Sequence, residues 1–367
     1  MVVTCTEEVL PSGWRALRLR NEQIEVTLLP EKGSEIYALR SIQHDLDLLW
    51  KAPWGLRPPP ARLSSGADSA PAWLDHYGGG WQELFPNAGD ACTVDGAPHP
   101  FHGEASVAPW QSEIVASPTS GEPEIRLALR LTRSPFGVEK RVWLEADRPA
   151  LHLDEWITNH GAVPAPLMWG HHPAFGSPFL EQGCRLYLPA ATYEADAVQS
   201  VPNTWVAPSA RSAWPHAKRF GAETETVDLS RLPGPDAGIA NLGYALDLED
   251  GWFALANPRR QLGIALVWPR DVFSSVWVWQ EFGGTRGYRW YGGVYVLGVE
   301  PHTSYPGHGL AAALERGTAR WLQPGERLEA TLLAVLYDHR DRDADVARVT
   351  PDGDVVFTAA ASANQEA

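Results

Sequence analysis

Runs in which apolar and polar residues alternate recur along most of the chain, the pattern of strands with one face buried. In residues 21–30, Ile24, Val26 and Leu28 alternate with polar neighbours until Pro30, which lacks a backbone donor, ends the run. Gly33 marks a turn, Ile36 opens a second strand, and LDLLW closes the unit at Trp50. Residues 51–77 are rich in Pro, Ser and Gly and predict a long loop; loops of that length inside a domain usually serve function or are disordered. Residues 77–105 carry many polar side chains and little strand periodicity. Alternation returns over 124–160, in EIRLALRLTRS, VEKRVWLEAD and ALHLDEWITNHG, punctuated by Pro-Phe-Gly and Asp-Arg-Pro. A looser region spans 181–240, followed by the strand patterns YALDLED, WFALANP, LGIALVWP, SSVWVWQEF, YVLGV and RLEATLLAVLYD. Helical periodicity is scarce, and AAALERG at 311–317 is the best short candidate. The predicted fold class is all-β: one large antiparallel β-sandwich domain with strands from about 12 to 340, and a polar, fraying tail over 341–367.

Composition sharpens this picture. The 31 Pro and 33 Gly, without a repeat period, favour many short strands joined by turns. The 17 Trp either fill a wide core or offer indole faces to sugar rings. A formal net charge of −15 has the wrong sign for a nucleic-acid or anionic-membrane partner. The first residues, MVVTCTEEVL, lack a basic segment followed by an apolar run, so no secretory signal is expected. No stretch approaches the roughly 18 continuous apolar residues of a membrane span. Cys5, Cys92 and Cys184 are odd in number and lack metal-ligand spacing, which fits reduced thiols in a cytoplasm.

Three polar clusters adjoin strand ends: Pro100-Phe101-His102-Gly103-Glu104, Trp169-Gly170-His171-His172-Pro173, and Gly298-Val299-Glu300-Pro301-His302-Thr303. Glu300 follows an apolar run and precedes Pro301, so its carboxylate is held rigidly and partly desolvated, as a general base requires. Pro173 restricts the backbone of His172, whose imidazole, with an intrinsic pKa of about 6.5, can give and recover a proton near neutrality. His102, on a tight turn before Gly103, is placed to hydrogen-bond a hydroxyl. The alternative for each is structural: an edge carboxylate serving turn N–H groups, or a satisfied core histidine.

Together, the order of FHGEA, GHHPAF and LGVEP along a strand-rich chain resembles the aldose 1-epimerase (galactose mutarotase-like) family, from LLPEKGSEIYALRS to LQPGERLEATLLAVLYD. The resemblance implies a sandwich with a sugar in a cleft across one sheet, His172 as general acid, Glu300 as general base and His102 as a sugar-binding residue. It also implies a small-molecule sugar as the partner and no metal or organic cofactor. The chain departs from the family where an arginine commonly precedes the His-Gly: LFPNAGDACTVDG has none, and Asn87 and Asp90 stand there as candidate substrate contacts. Arg286 and Arg289 are candidate replacements from another loop, and Trp81, Trp279 and Trp290 are candidate stacking platforms. Three further readings remain open. They are a metal site from His99, His102, Glu104 and His171; glycoside hydrolysis pairing Glu300 with Glu104, Asp90 or Glu281; and sugar binding without turnover.

Overall fold

The computed structural model describes residues 2–59, 69–197, 203–340 and 344–358. Among them, a twelve-stranded and an eight-stranded sheet pack face to face. The larger sheet runs in the order Thr4–Val9, Arg15–Arg20, Ile24–Leu29, Glu35–Ser41, Trp81–Leu84, Gly170–Gly176, Tyr295–His302, Ser275–Phe282, Ile239–Leu248, Ala190–Ala195 and Arg211–Ala213, with Leu46–Asp47 paired to Glu35–Ser41. The smaller runs Arg185–Tyr187, Trp252–Asn257, Leu262–Val267, Arg327–Asp338, Ala150–Asn159, Phe136–Leu144, Pro123–Arg130 and Gln111–Ala116. Strand pairings in both sheets are antiparallel, so the expected architecture, a large antiparallel β-sandwich, is the one observed.

The alternation read in the sequence is what builds the core. Leu17, Leu19, Val26, Leu28 and Leu39 face Ile125, Val142, Leu153 and Leu332 across the sheets, and one buried cluster runs from Val3 to Leu336. The middle of the larger sheet is buried on both sides. Every residue of Gly170–Gly176 is buried, as are seven of the eight in Tyr295–His302. That explains why YVLGV reads as a continuous apolar run.

Two short helices cover the outer face of this sheet. Helix α1, Ser69–His76, lies within the segment expected as a loop, whose residues 60–68 fall outside the described residues. Its Trp73, with Tyr77 just beyond, packs against Trp50, Ala174 and Val296, beside Trp279 and Trp290. Helix α2, Gly309–Arg316, matches the candidate at 311–317 and ends on Gly317 in the left-handed conformation, whose N–H caps the carbonyls of Ala313 and Leu314. Its Leu310 and Ala313 pack on Leu84, Tyr244 and Trp277.

Other segments differ from the sequence reading. Residues 77–105 contribute Trp81–Leu84, Cys92–Val94 and Ala97–His99 as strands, and 181–240 holds five more, although 198–202 lie outside the described residues. The tail does not simply fray: Val346–Val349 and Val355–Phe357 form a hairpin whose Val346 and Val349 pack on Trp252 and Ala254. Residues 341–343 and 359–367 lie outside the described residues. Among the described residues no helix is long and apolar enough to cross a membrane.

Candidate active site

Strand register brings the two principal candidates together. Gly170 pairs with His302 and Ala174 with Gly298, so His172 falls opposite Glu300. Cross-strand neighbours share a face, and both side chains point outward, beneath the two helices. His172 Nε2 lies 3.5 Å from Glu300 Oε1, and His302 Nε2 lies 3.5 Å from Glu300 Oε2. The carboxylate thus stands between two imidazoles, at ion-pair range and beyond a good hydrogen bond. Glycines make the room: a Cβ on Gly170 would sit 1.9 Å from His302 Nδ1, and one on Gly298 would sit 2.5 Å from Glu300 Oε1.

Aromatic rings enclose the trio. Trp277 stacks on His302 at 3.7 Å and 11°. Tyr77, Trp279 and His102 hold ring centroids 5.5–5.6 Å from His172, and Trp73 lies 6.2 Å away. The result is desolvation: His172 is 5 % exposed, Glu300 2 % and His302 0 %. Burial pushes the Glu300 carboxyl well above its ordinary range and the His172 imidazole down to about 4. Burial, with the neighbouring His172 charge, also lowers His302 and His102 well below the usual imidazole range. His172 Nδ1 and both nitrogens of His302 have no hydrogen-bond partner among the described residues. Native interiors rarely leave such atoms unmet, and a ligand is one of the recognised reasons.

His102 adds a fixed donor. The Gly89 N–H donates to its Nδ1 at 3.1 Å, so the neutral ring carries its proton on Nε2. Its φ of 58° is in the left-handed region, held by the turn that Gly103 continues at φ 80°.

Several sequence candidates have other duties. Trp81 is a core residue whose Nε1 donates to His171 Nδ1 at 3.1 Å on the inner face of the sheet. Its neighbour Gln82 is the residue that pairs with His172 and shares its face; because a strand alternates sides, Trp81 points away from His172 and is no stacking platform there. Asn87 is fully buried and committed to backbone: its Nδ2 donates to the carbonyls of Asp90 and Pro100, both at 2.9 Å, and its Oδ1 accepts from Leu310 N–H at 2.6 Å. It ties a loop to α2 and has no free group for a substrate. Asp90 pairs with His308 at 2.9 Å, whose other nitrogen meets Asp196 at 2.9 Å. Arg286 is exposed and lies against Gly238 and Gly292. Arg289 is buried, ion-paired with Asp75 of α1 at 2.9 Å and stacked 4.1 Å over Trp54. Trp290 lies 5.7 Å from Trp279, which is the tryptophan nearest His172 among the three proposed platforms.

The donors of the alternative metal site do not converge. Glu104 accepts from Thr132 N–H and Oγ1, while His171 bonds Glu155 on the opposite face. Glu281 accepts from Thr285 and lies four residues along its strand from Trp277, the residue opposite Glu300. Sequence reasoning gave no role to His302, although it stands in the quoted cluster, and missed Trp73 and Tyr77. Those two lie in the stretch read as loop, where no periodicity flags a buried ring.

A family model described as a domain of unknown function (DUF4432) matches residues 11–334. The chain belongs to this family. No curated protein matches this DUF4432 chain. Solved structures do. A Klebsiella pneumoniae protein provisionally named an aldose 1-epimerase is 18% identical, over 92% of this chain and 84% of its own, with a TM-score of 0.69. A galactose mutarotase-like protein from Clostridium acetobutylicum is 15% identical, over 92% and 99%, with a TM-score of 0.62. Another from Lactobacillus casei is 17% identical, over 88% and 100%, with a TM-score of 0.56. Identities this low establish the fold: this member of DUF4432 is a galactose mutarotase-like sandwich, the type that its sequence motifs resemble.

Proposed function

We propose that the chain is an aldose 1-epimerase that interconverts the α and β anomers of a hexose or related aldose by general acid–base ring opening. The observation that carries this reading is the pairing of His172 and Glu300, 3.5 Å apart on one face, with burial raising one proton affinity and lowering the other. In the free site these shifts keep the proton on Glu300, so the working roles, Glu300 as base and His172 as acid, require the proton to pass to His172 when a sugar binds.

In the dry site the neutral pair, Glu300 carboxyl and His172 imidazole, is favoured over the ion pair. A bound sugar's hydroxyls resolvate Glu300 and move the proton to His172. Glu300 then takes the proton from the anomeric hydroxyl as the C1=O1 double bond forms. The C1–O5 bond breaks, its electrons go to O5, and O5 takes the proton of His172. This leaves the neutral pair again. After rotation about C1–C2, O5 attacks the other face of C1, His172 takes the O5 proton and Glu300 returns one to O1. His102, donating from Nε2, holds a ring hydroxyl, and Trp279 offers its face to the sugar's C–H bonds.

Polarimetry on freshly dissolved α-glucose and α-galactose, extended to other aldoses by anomer-resolved NMR, tests the proposal. The wild type accelerates mutarotation of at least one aldose, and Glu300→Gln and His172→Asn each lower the rate about 10²–10⁴-fold. Full activity in either variant, or no acceleration of any aldose by the wild type, rejects it.

A further inference from the structure

The proton-transfer scheme leaves unused a second set of buried polar groups beside His172. Gln82 sits across from His172 in register and shares its face. Its Nε2 donates to Glu35 Oε2 at 2.8 Å and to the Gly79 carbonyl at 2.6 Å, an arrangement that fixes which end of the amide is which. Its Oε1 has no partner among the described residues. Glu35 is fully buried and paired with Lys32 through the same Oε2, while its Oε1 is likewise unmet. The Tyr77 hydroxyl, on a ring 5.6 Å from that of His172, is the third such atom. Lys32, Tyr77 and Gln82 line a cavity of about 20 Å³, roofed by Trp73, with room for about one water-sized group.

A buried donor or acceptor left unmet is costly and calls for a partner. Two such atoms, the Tyr77 hydroxyl and Gln82 Oε1, belong to residues that line one small cavity beside His172, and the third is on Glu35, to which Gln82 is bonded. We propose that Lys32, Glu35, Tyr77 and Gln82 form a subsite that reads one ring hydroxyl of the substrate, away from its anomeric carbon. The proposal rests on the aldose reading of the His172–Glu300 pair.

A hydroxyl matches the cavity in both directions: it donates to Gln82 Oε1 and accepts from the Tyr77 O–H. A phosphate or sulfonate does not. It brings acceptors to the acceptor oxygen of Gln82, beside the Glu35 carboxylate, and the Lys32 cation is already paired to Glu35. The substrate class is therefore an aldose with a free, unsubstituted hydroxyl at this position. Because the groups are desolvated, an analogue lacking the hydroxyl leaves them unpaired, which is how polar sites reach large discrimination.

The test measures binding and mutarotation of glucose, galactose and their 2-, 3-, 4- and 6-deoxy analogues, by calorimetry and anomer-resolved NMR, for the wild type, Tyr77→Phe and Gln82→Leu. The wild type is expected to disfavour one deoxy analogue about 10²-fold or more against its parent. Tyr77→Phe narrows that ratio about tenfold, and Gln82→Leu narrows it to a few-fold. Uniform weakening of parent and analogue in the variants, or no discrimination by the wild type, overturns the subsite and leaves the epimerase reading standing. Selective binding without accelerated mutarotation supports the subsite and rejects the epimerase reading. If no aldose binds, both fall.

Discussion

His171 and His172 are neighbours in sequence on opposite faces of one buried strand, and their surroundings could hardly differ more. On the inner face, His171 Nε2 meets Glu155 at 2.9 Å and its Nδ1 accepts from Trp81. Lys140 bridges Glu155 and Glu83 at 2.9 and 2.5 Å, and Glu83 accepts from Trp169 Nε1 at 3.0 Å. Burial would push Glu155 up, but the His171 and Lys140 charges outweigh it and hold the carboxyl below its ordinary range. Burial would likewise lower Lys140, and the two carboxylates raise it instead. On the outer face, His172, Glu300 and His302 approach no closer than 3.5 Å and keep unmet nitrogens. Buried charge that is paired is structure. Buried polarity left unpaired, at equal depth in the same sheet, is capacity for something else.

The contrast can be broken in several places. The largest effect belongs to the inner face: Lys140→Met leaves the buried Glu83 without its cation and Glu155 with His171 alone, and denaturant unfolding is expected to show a loss of about 3–5 kcal/mol. A loss below about 1 kcal/mol would mean that the inner network does not hold the sandwich. The second is a pH effect from His172. Its folded pKa lies below its unfolded value, so the unfolded chain binds the extra proton between about 6.5 and about 4, and stability falls on acidification through that window. At about 1.4 kcal/mol per pKa unit this amounts to roughly 3 kcal/mol, and His172→Phe should flatten the acid limb of a Tm-against-pH curve.

Glu300 has the opposite sign. Its folded pKa is raised, so the folded state keeps a proton that the unfolded carboxyl has lost, and stability declines as pH rises above the ordinary carboxylate range. Glu300→Gln should remove that decline and match or exceed the wild type's Tm at pH 8, whatever happens to activity. A drop in Tm at that pH would place Glu300 among the paired, structural charges. The smallest effect belongs to His308, raised to about 10 chiefly by its hydrogen bonds to Asp196 and Asp90. Its contribution is complete below about pH 6.5 and lost as pH rises towards 10. Because the cluster is partly exposed, His308→Phe should cost roughly 1 kcal/mol at pH 6 and progressively less in alkali.

Much of this arrangement was legible in the sequence because strands advertise themselves by alternation. The sandwich, and the strands bearing Glu300 and His172, followed from apolar runs ended by Pro301 and stiffened by Pro173. What alternation does not give is which side of a doubly buried strand faces which neighbour, since both sides carry polar residues here, Gln82 and His172 on one, Glu83 and His171 on the other. Hence the candidate platform Trp81 lies on the inner face, and the amide of Asn87, a candidate substrate contact, fastens α2 instead. The roof over the site was less legible still. Trp73 and Tyr77 sit in a Pro- and Gly-rich stretch where packing, rather than local pattern, determines the helix.

The missing side chain at Gly170 has a consequence beyond the room it gives. A slip of two residues between its strand and that of Glu300 would preserve inside and outside, so burial by itself does not forbid it. Either slip would set Met168 or His172 against His302, where a Cβ has no space. Of these three alignments, the one that sets Gly170 against His302 is the one that leaves the His302 ring its space, and it is the one in which the imidazole of His172 and the carboxylate of Glu300 meet.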